Sequence, residues 1–399
     1  MHFLHLKLCL VIMHNQQLKN SPITTASSRK IYKLRLRNGI VIFKKENKKK
    51  LQVGVTPSLA WKIGGAYVGI VEEIVRLLDK NNCYKNPLST DKLYSHICSH
   101  FRCNIKYEEF IQILEDLEKI GILIKEEKKT QNINCESDSD YSLYHRQLLL
   151  FNLMNLRKPQ ESIPYIFQKR LFNAHVLVFG VGGIGSWLIY FLTLFGVRNL
   201  TIVDYDIVEL SNLNRMAGTS FSDLGKPKIE VLSKFLKSVA PKLNVRTLDK
   251  KIDNDFSLKE IVEEISPDVI VKAVDYPLQI AEWFDKVSKE TGIPWIGGGY
   301  TEFFGFVGPF VIPNKSCYFQ DWQKKHGIED IEVLNQNYNA CSLVTIANSV
   351  ASLVAMEIFY YITQIQSPVT INKRLILDFR NYSVYFDEIE CNYRKEGKR

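Results

Sequence analysis

The stretch Val176–Gly185, "VLVFGVGGIG", constrains this chain more than any other. An apolar run ends on G-x-G-x-x-G (Gly180, Gly182 and Gly185, with Gly183 inside it) and passes directly into a second apolar run. That order reads as a buried strand, a tight turn and a helix, with glycines where backbone must approach backbone or a ligand. From Ala174 to Val197 no residue carries a formal charge, which is long enough to imitate a membrane span. The glycines between Gly180 and Gly185 instead split the run into strand and helix. The same alternation continues downstream. "HVLVFG", a helix from about Ile184, "LTIVDYD", a helix around Pro227–Val239, "DVIVKAVD", a helix around Leu278–Thr291 and "PWIGGG" succeed one another. Such a rhythm calls for a parallel sheet with helices on both faces. Beyond it, "GFVGPFVIP" and "RLILDFRNYSVYFDEI" read as strands around the long helix "SLVTIANSVASLVAMEIFYYITQI". The expected fold class is α/β, a Rossmann-like, mostly parallel sheet over residues 144–399.

Upstream, residues 1–30 read as a tail: a disordered extension, or a start assigned too early with Met13 as the true one. The run in "MHFLHLKLCLVIM" is broken by Lys7 and lacks the small-residue cleavage site of a signal peptide. In residues 31–125, "IYKLRLRNGIVIFKKE" alternates apolar and basic residues around Asn38-Gly39, a hairpin signal. "YVGIVEEIVRLLDK", "TDKLYSHICSHF" and "KYEEFIQILEDLEKIGILIKEEKK" have helical spacing, the last ending in a short strand after Gly121. These elements make a winged-helix-like α+β domain. Residues 126–143, polar and acidic, are expected to be a linker.

Charge is uneven. Of a net +9, ten Lys or Arg and one acid, Glu46, fall between Arg29 and Lys50. That patch suits an acidic peptide, a membrane surface or nucleic acid, or is a solvated face. Eight cysteines without a CxxC fit reduced thiols in a cytoplasm, where the chain is placed.

Asp204 closes the second strand 19 residues after Gly185, where a carboxylate meets ribose hydroxyls, so a nucleotide site is expected. A dehydrogenase would carry the same features. The next segments do not suit one. "DYDIVELSNLNR" sets Asp206, Asn212 and Arg215 just past the second strand, and "LGKPKIEVL" brings Lys228 to the start of the next helix. A neutral nicotinamide needs no such cationic pair; a triphosphate does, and losing one donor to a transferring phosphate typically costs about 3 kcal/mol in the transition state. Asp275, ending the third strand, suits Mg²⁺ bridging the phosphates.

"GVGGIGS", "DYDIVELSNLNR", "GKPK" and the strand ending in Asp275 together resemble the ThiF/MoeB/HesA family of ubiquitin-activating-like adenylating enzymes, over about Tyr144–Glu388. The resemblance implies ATP and Mg²⁺ as cofactors and adenylation of a C-terminal carboxylate. It gives Gly180, Gly182, Gly183, Gly185, Asp204 and Asp206 to nucleotide binding, Asn212, Arg215 and Lys228 to the phosphates and Asp275 to the metal. "YHRQLLLF" resembles the family's entry motif, in which an arginine reaches the neighbouring subunit's phosphates, so Arg146 is the candidate and a homodimer is implied.

Relatives commonly hold a structural zinc in two CxxC pairs; here "SCYFQD" and "IECNYR" leave only Cys317 and Cys391, and a zinc site is not expected. The family's thioester cysteine position falls on Asn337, with Cys341 four residues on, either a nucleophile or a plain thiol. Without zinc or that thiol, sulfur transfer to a ubiquitin-like carrier loses support. The front domain resembles the leader-binding element of enzymes that modify ribosomally made peptides, which grip an extended leader as an added strand. DNA binding by a winged fold is the rival, and "TDKLYSHICSHFRCNIKYEEF" carries few cations for it. Together the parts resemble the peptide-maturing enzymes of microcin C and pantocin A biosynthesis. The resemblance implies ATP-dependent activation of a precursor-peptide carboxylate, by adenylation or phosphorylation. The glycines of "PWIGGGYTEFFGF", Pro294–Phe306, suit a peptide channel with Tyr300 and Glu302 as polar candidates, or ordinary core and turn roles. Alternatives are activation of a sulfur carrier, a tRNA-modifying dehydratase, and a non-catalytic leader-presenting scaffold.

Overall fold

The computed structural model describes residues 33–36, 41–44, 50–54, 60–64, 67–80, 88–102, 105–119, 122–125, 139–154, 164–277, 279–328 and 341–391. The expected tail, the Asn38-Gly39 turn, most of the expected linker and Asn337 lie outside them. The chain divides into two compact units, residues 1–164 and 165–399.

The first unit holds β1 (Lys33–Leu36), β2 (Val41–Lys44), β3 (Lys50–Gly54), β4 (Ala60–Gly64), α1 (Val68–Lys80), β5 (Leu88–Ser89), α2 (Thr90–Phe101), α3 (Tyr107–Lys119), β6 (Leu123–Lys125), α4 (Ser139–Leu143) and α5 (His145–Met154). Its core forms because each helix buries one stripe: Val68, Val71, Ile74 and Leu78 from α1, Leu93 and Ile97 from α2, Phe110, Leu114 and Leu117 from α3. These close over Leu34 and Leu36 of β1 and Leu123 of β6. The hairpin expected around Asn38-Gly39 is not formed between its flanking strands. β1 pairs with β5 and β6, whereas β2 opens a separate meander with β3 and β4. An Asn-Gly signal specifies a turn, not the partner of the strand that enters it, and burial of Leu34 and Leu36 in the helical core takes β1 elsewhere.

The second unit runs α6 (Pro164–Asn173), β7 (His175–Phe179), α7 (Gly183–Phe195), β8 (Asn199–Val203), α8 (Lys228–Val239), β9 (Asn244–Leu248), α9 (Asp255–Ile265), β10 (Val269–Lys272), α10 (Ile280–Thr291), β11 (Trp295–Thr301), β12 (Phe304–Val307), α11 (Phe319–His326), α12 (Val344–Thr363), β13 (Lys373–Asp378) and β14 (Ser383–Glu388). The described strands form one sheet in the order β14-β13-β12-β11-β10-β7-β8-β9. β9, β8, β7, β10 and β11 are parallel; β12, β13 and β14 extend the sheet antiparallel. The expected mostly parallel α/β sheet is therefore present. β9 and α9 are additions to the expected set; α9 is announced by Asn254, whose side chain accepts from Ser257 N at 2.8 Å as an N-cap. The strand expected over "GFVGPFVIP" stops at Val307, because Pro309 has no N–H to continue the ladder.

On one face, Val350 and Val354 of α12 lie against Gly298 of β11, and Val350 also against Gly305 of β12, at spacings a side chain on either glycine would violate. On the other face Leu258, Ile261 and Val262 of α9 and Phe284 and Val287 of α10 share one core with the buried Trp295, whose ring centre lies 5.5 Å from that of Phe284. α12 is long and apolar enough to cross a membrane by length and composition. Its residues Ile346, Ala347, Val350, Ala351, Val354, Ala355 and Ile358 are buried in this unit.

Candidate functional site

β7 is the central strand from which the chain winds first to β8 and β9 and then back across to β10 and β11. Outside the carboxyl ends of β7 and β10 the two directions of winding part, and open α/β sheets bind ligands in that crevice. Gly180 leaves β7 there with φ +98°, a conformation that L side chains rarely adopt, and its N–H reaches Val203 O at 2.9 Å. A Cβ on Gly180 would run into Ala273 O, and one on Gly185 into Gly180 O. Gly182 has open space around it and caps the N-terminus of α7 with no side chain in the way. The loop thus presents backbone N–H groups and the positive end of α7 to whatever occupies the crevice.

Asp204 ties this loop to β8. Its Oδ2 accepts from Val181 N at 2.6 Å and its Oδ1 from Asp206 N at 2.8 Å. Burial raises its pKa above the ordinary aspartate value, against those two hydrogen bonds and the charge of Lys228. Each oxygen keeps a further lone pair for a ligand hydroxyl. Lys228 opens α8 nearly buried, and its Nζ donates to Asp206 Oδ2 at 2.7 Å while its N–H donates to Asp206 O at 2.9 Å. Asn212 is buried in a short 3₁₀ turn, Leu210–Asn212, where its Oδ1 accepts from Glu209 N at 3.1 Å. That turn aims Arg215: its guanidinium donates to Ser211 O, and its own carbonyl accepts from Trp187 Nε1 at 3.0 Å. A Cβ on Gly183 would lie 3.4 Å from Arg215 Cδ and 3.6 Å from the Tyr300 hydroxyl, so both side chains border the glycine loop.

Asp275 is exposed beyond β10. Three residues earlier, Lys272 ends the strand with its Nζ donating to Val274 O at 2.9 Å. Burial holds its pKa below the usual lysine range, against the attraction of Asp275. Sequence reasoning passed over Lys272, although a cation closing the otherwise apolar "VIVK" was the signal. It also passed over Ser342, whose Oγ lies 2.6 Å from the Tyr300 hydroxyl, and over Lys251, whose Nζ sits 5.9 Å from the centre of the exposed Tyr205 ring. Glu302 is exposed in a turn with φ +47°. Arg146 is exposed on α5, in the other compact unit.

The cysteines depart from expectation. Cys317 and Cys391 form a disulfide, so they are not two reduced thiols. They come together because β13 and β14 return the chain to the start of α11. Asn372 Oδ1 there accepts from Cys317 N at 2.8 Å and Ile389 O lies 3.4 Å from Cys317 Sγ. Two sulfurs joined to each other do not fit a tetrahedral zinc. Cys341 is an exposed free thiol, and Cys98 is a second one among the described residues.

The arrangement offers backbone amides and a helix N-terminus suited to an anion, with Arg215 and Tyr300 on the border of the loop. The ThiF family model matches residues 144–399. tRNA threonylcarbamoyladenosine dehydratase 2 of Saccharomyces cerevisiae is 30% identical over 149 residues, 37% of this chain and 33% of that protein. Molybdopterin-synthase adenylyltransferase of Haemophilus influenzae is 29% identical over 182 residues, 46% of this chain and 72% of the enzyme. The chain thus spans a third of the yeast protein and somewhat under three quarters of the bacterial one. Among solved structures, E. coli MccB with ATP superposes with a TM-score of 0.69 at 21% identity, over 90% of this chain and 97% of that one. MccB, a microcin C7 biosynthetic enzyme, is also known in complex with N-formylated MccA. PaaA superposes with a TM-score of 0.68 at 20% identity, over 88% of this chain and 98% of that one. With its glycine loop and switch-point crevice, this chain belongs to the ThiF family of ATP-dependent adenylating enzymes and shares the fold of MccB and PaaA.

Proposed function

We propose that the chain uses ATP to activate a carboxylate on a ribosomally made precursor peptide, and that the activated acyl group then closes on a nucleophile of the same peptide. The observation that carries the reading is the meeting of the Gly180–Gly185 loop with Arg215 and Tyr300, beside the Lys228–Asp206 pair. A peptide carboxylate oxygen attacks the α-phosphorus, the bond to the β-phosphate bridging oxygen breaks, and pyrophosphate leaves with that electron pair. A peptide N–H nucleophile then attacks the acyl carbon, AMP departs and the proton passes to solvent. Asp204 takes the ribose hydroxyls on its unused lone pairs, while Asp206 and Asn212 hold Lys228 and the Arg215 turn in position. Arg215 and Lys228 offset the charge that builds on the phosphate oxygens. The exposed Asp275 carboxylate fits Mg²⁺, a hard cation that takes one or two carboxylates plus phosphate oxygens and neutralises their charge when bound. Tyr300 and Ser342 border the path of the peptide.

Residues 31–125 act as a winged-helix-like leader-binding domain, with a basic strand edge for an acidic leader, and Arg146 reaches the phosphates of a partner subunit in a homodimer. Phosphorylation of the carboxylate would use the same residues and release ADP instead of AMP. A second reading is supported by the curated sequence relatives: activation of a sulfur carrier, or tRNA dehydration. The test is to incubate the chain with ATP, Mg²⁺ and candidate precursor peptides and to follow AMP, ADP, pyrophosphate exchange and peptide mass. AMP release with a peptide lighter by one water supports the proposal; turnover only with a ubiquitin-like protein or tRNA selects the second reading. Asp275→Ala is expected to lower turnover by a factor of at least about 100, as for loss of one charge-stabilising group, while leader affinity measured by fluorescence anisotropy stays within about twofold. Equal loss of both would remove Asp275 from the metal site.

A further inference from the structure

The described residues hold one group of side chains arranged to ligate a metal, and it lies outside the nucleotide site, in the first unit. α2 carries histidines four residues apart, His96 and His100, which a helix stacks on one face. Their rings lie 5.9 Å apart at 21°. α1 brings Glu73 to the same point. His96 Nε2 is 2.9 Å from Glu73 Oε1, and His100 Nδ1 is 3.7 Å from the same oxygen. All three ligand atoms fall within 4.8 Å of one another.

A tetrahedral zinc ion with bonds of about 2.0–2.1 Å sets its ligand atoms about 3.4 Å apart. The two observed separations bracket that spacing. We propose that Glu73, His96 and His100 bind a divalent first-row transition ion, of which zinc is the representative, clipping α1 to α2. Two imidazoles and one carboxylate suit zinc, nickel or copper rather than magnesium or calcium, which take oxygen ligands. The position of the group supports the assignment. Glu73 is largely shielded and His100 half exposed, so the protein closes one side and solvent fills the open coordination position. The buried faces of the same helices, Val71, Ile74, Leu93 and Ile97, fix the helix pair that spaces the ligands. This site is unrelated to the Cys317–Cys391 region and independent of the reading of the nucleotide site.

The test uses the full chain and the metal alone. Cobalt(II) titration is expected to give visible ligand-field absorption saturating at one equivalent, and zinc is expected to displace it. In calorimetry, His100→Ala and Glu73→Gln are expected to weaken zinc binding at least tenfold. Circular dichroism is expected to show that both variants keep their helices; His100, half exposed, provides the variant safest for folding. Zinc is also expected to raise the melting temperature of the wild type more than that of His100→Ala. Identical isotherms for wild type and His100→Ala, absence of zinc binding by the wild type, or cobalt–thiolate charge-transfer bands marking a cysteine site would each overturn the proposal.

Discussion

Gly182 and Gly185 sit three residues apart in one loop under opposite constraints. A methyl on Gly185 meets the Gly180 carbonyl inside contact distance, and neither backbone can yield without moving β7 or α7, whereas a methyl on Gly182 meets nothing. Gly185→Ala is therefore expected to destabilise the chain by about 1–3 kcal/mol, the usual cost of overpacking, and to abolish nucleotide binding. Gly182→Ala should melt within about 0.5 kcal/mol of wild type and, if the proposed nucleotide fills the open space there, lose nucleotide affinity alone. Thermal melts and nucleotide titrations of both variants check the contrast. Asp285 of α10 carries a different kind of constraint. Its carboxylate accepts from Trp295 Nε1 at 3.0 Å and from Gln320 N at 2.9 Å, yet burial raises its pKa to about 7. The native state thus holds a proton that the unfolded chain releases near the ordinary aspartate value of 3.8. Stability from this group is full below that value and is lost as pH rises through about 7. Asp285→Asn cannot accept both bonds and is expected to be less stable at pH 5, with the gap to wild type narrowing toward pH 8, as read from melting temperatures.

α11 and the hairpin of β13 and β14 are held together by polar and stacked contacts more than by apolar burial. Arg374 of β13 stacks on Trp322 at 4.0 Å and donates to Gly308 O at 3.2 Å, and burial lowers its pKa to about 10. Asp387 of β14 receives Trp322 Nε1 and Lys325 Nζ at 2.6 Å each and His326 Nε2 at 2.8 Å. Burial alone would raise the Asp387 pKa; the hydrogen bonds from Lys325, Trp322 and His326 outweigh it and hold the carboxyl below its usual range. The Cys317–Cys391 bond spans 74 residues of chain across the same elements. A disulfide typically contributes about 2–4 kcal/mol, more for longer loops, by limiting the unfolded chain. Reductant is expected to lower the melting temperature of the wild type and leave Cys391→Ser unchanged, with the variant matching the reduced wild type in differential scanning calorimetry.

At the scale of the whole molecule the proposed homodimer makes a stoichiometric demand. If Arg146 serves the partner's site, a heterodimer of Arg146→Ala and Asp275→Ala contains one site with both groups intact and one with neither. Random exchange of the two inactive variants should restore about a quarter of wild-type turnover. No recovery in a subunit-exchange assay would return Arg146 to a role within its own chain. The glycine loop and its flanking elements were legible in the chain because they are local: the glycine spacing, the strand that precedes it and the aspartate 19 residues on obey rules of turn and period that involve only neighbours. The meeting of Tyr300 with Ser342 and of Glu73 with His96 was not, since each joins residues whose approach depends on how elements pack. The order of residues already required an α/β sheet with a tight glycine turn between strand and helix, because hydrophobic period and glycine sterics act over a few residues. Strand β1's choice of partners, the union of Cys317 with Cys391, and the side chains that border the glycine loop arose from packing, because burial and distance between remote segments exist only once the chain has closed on itself.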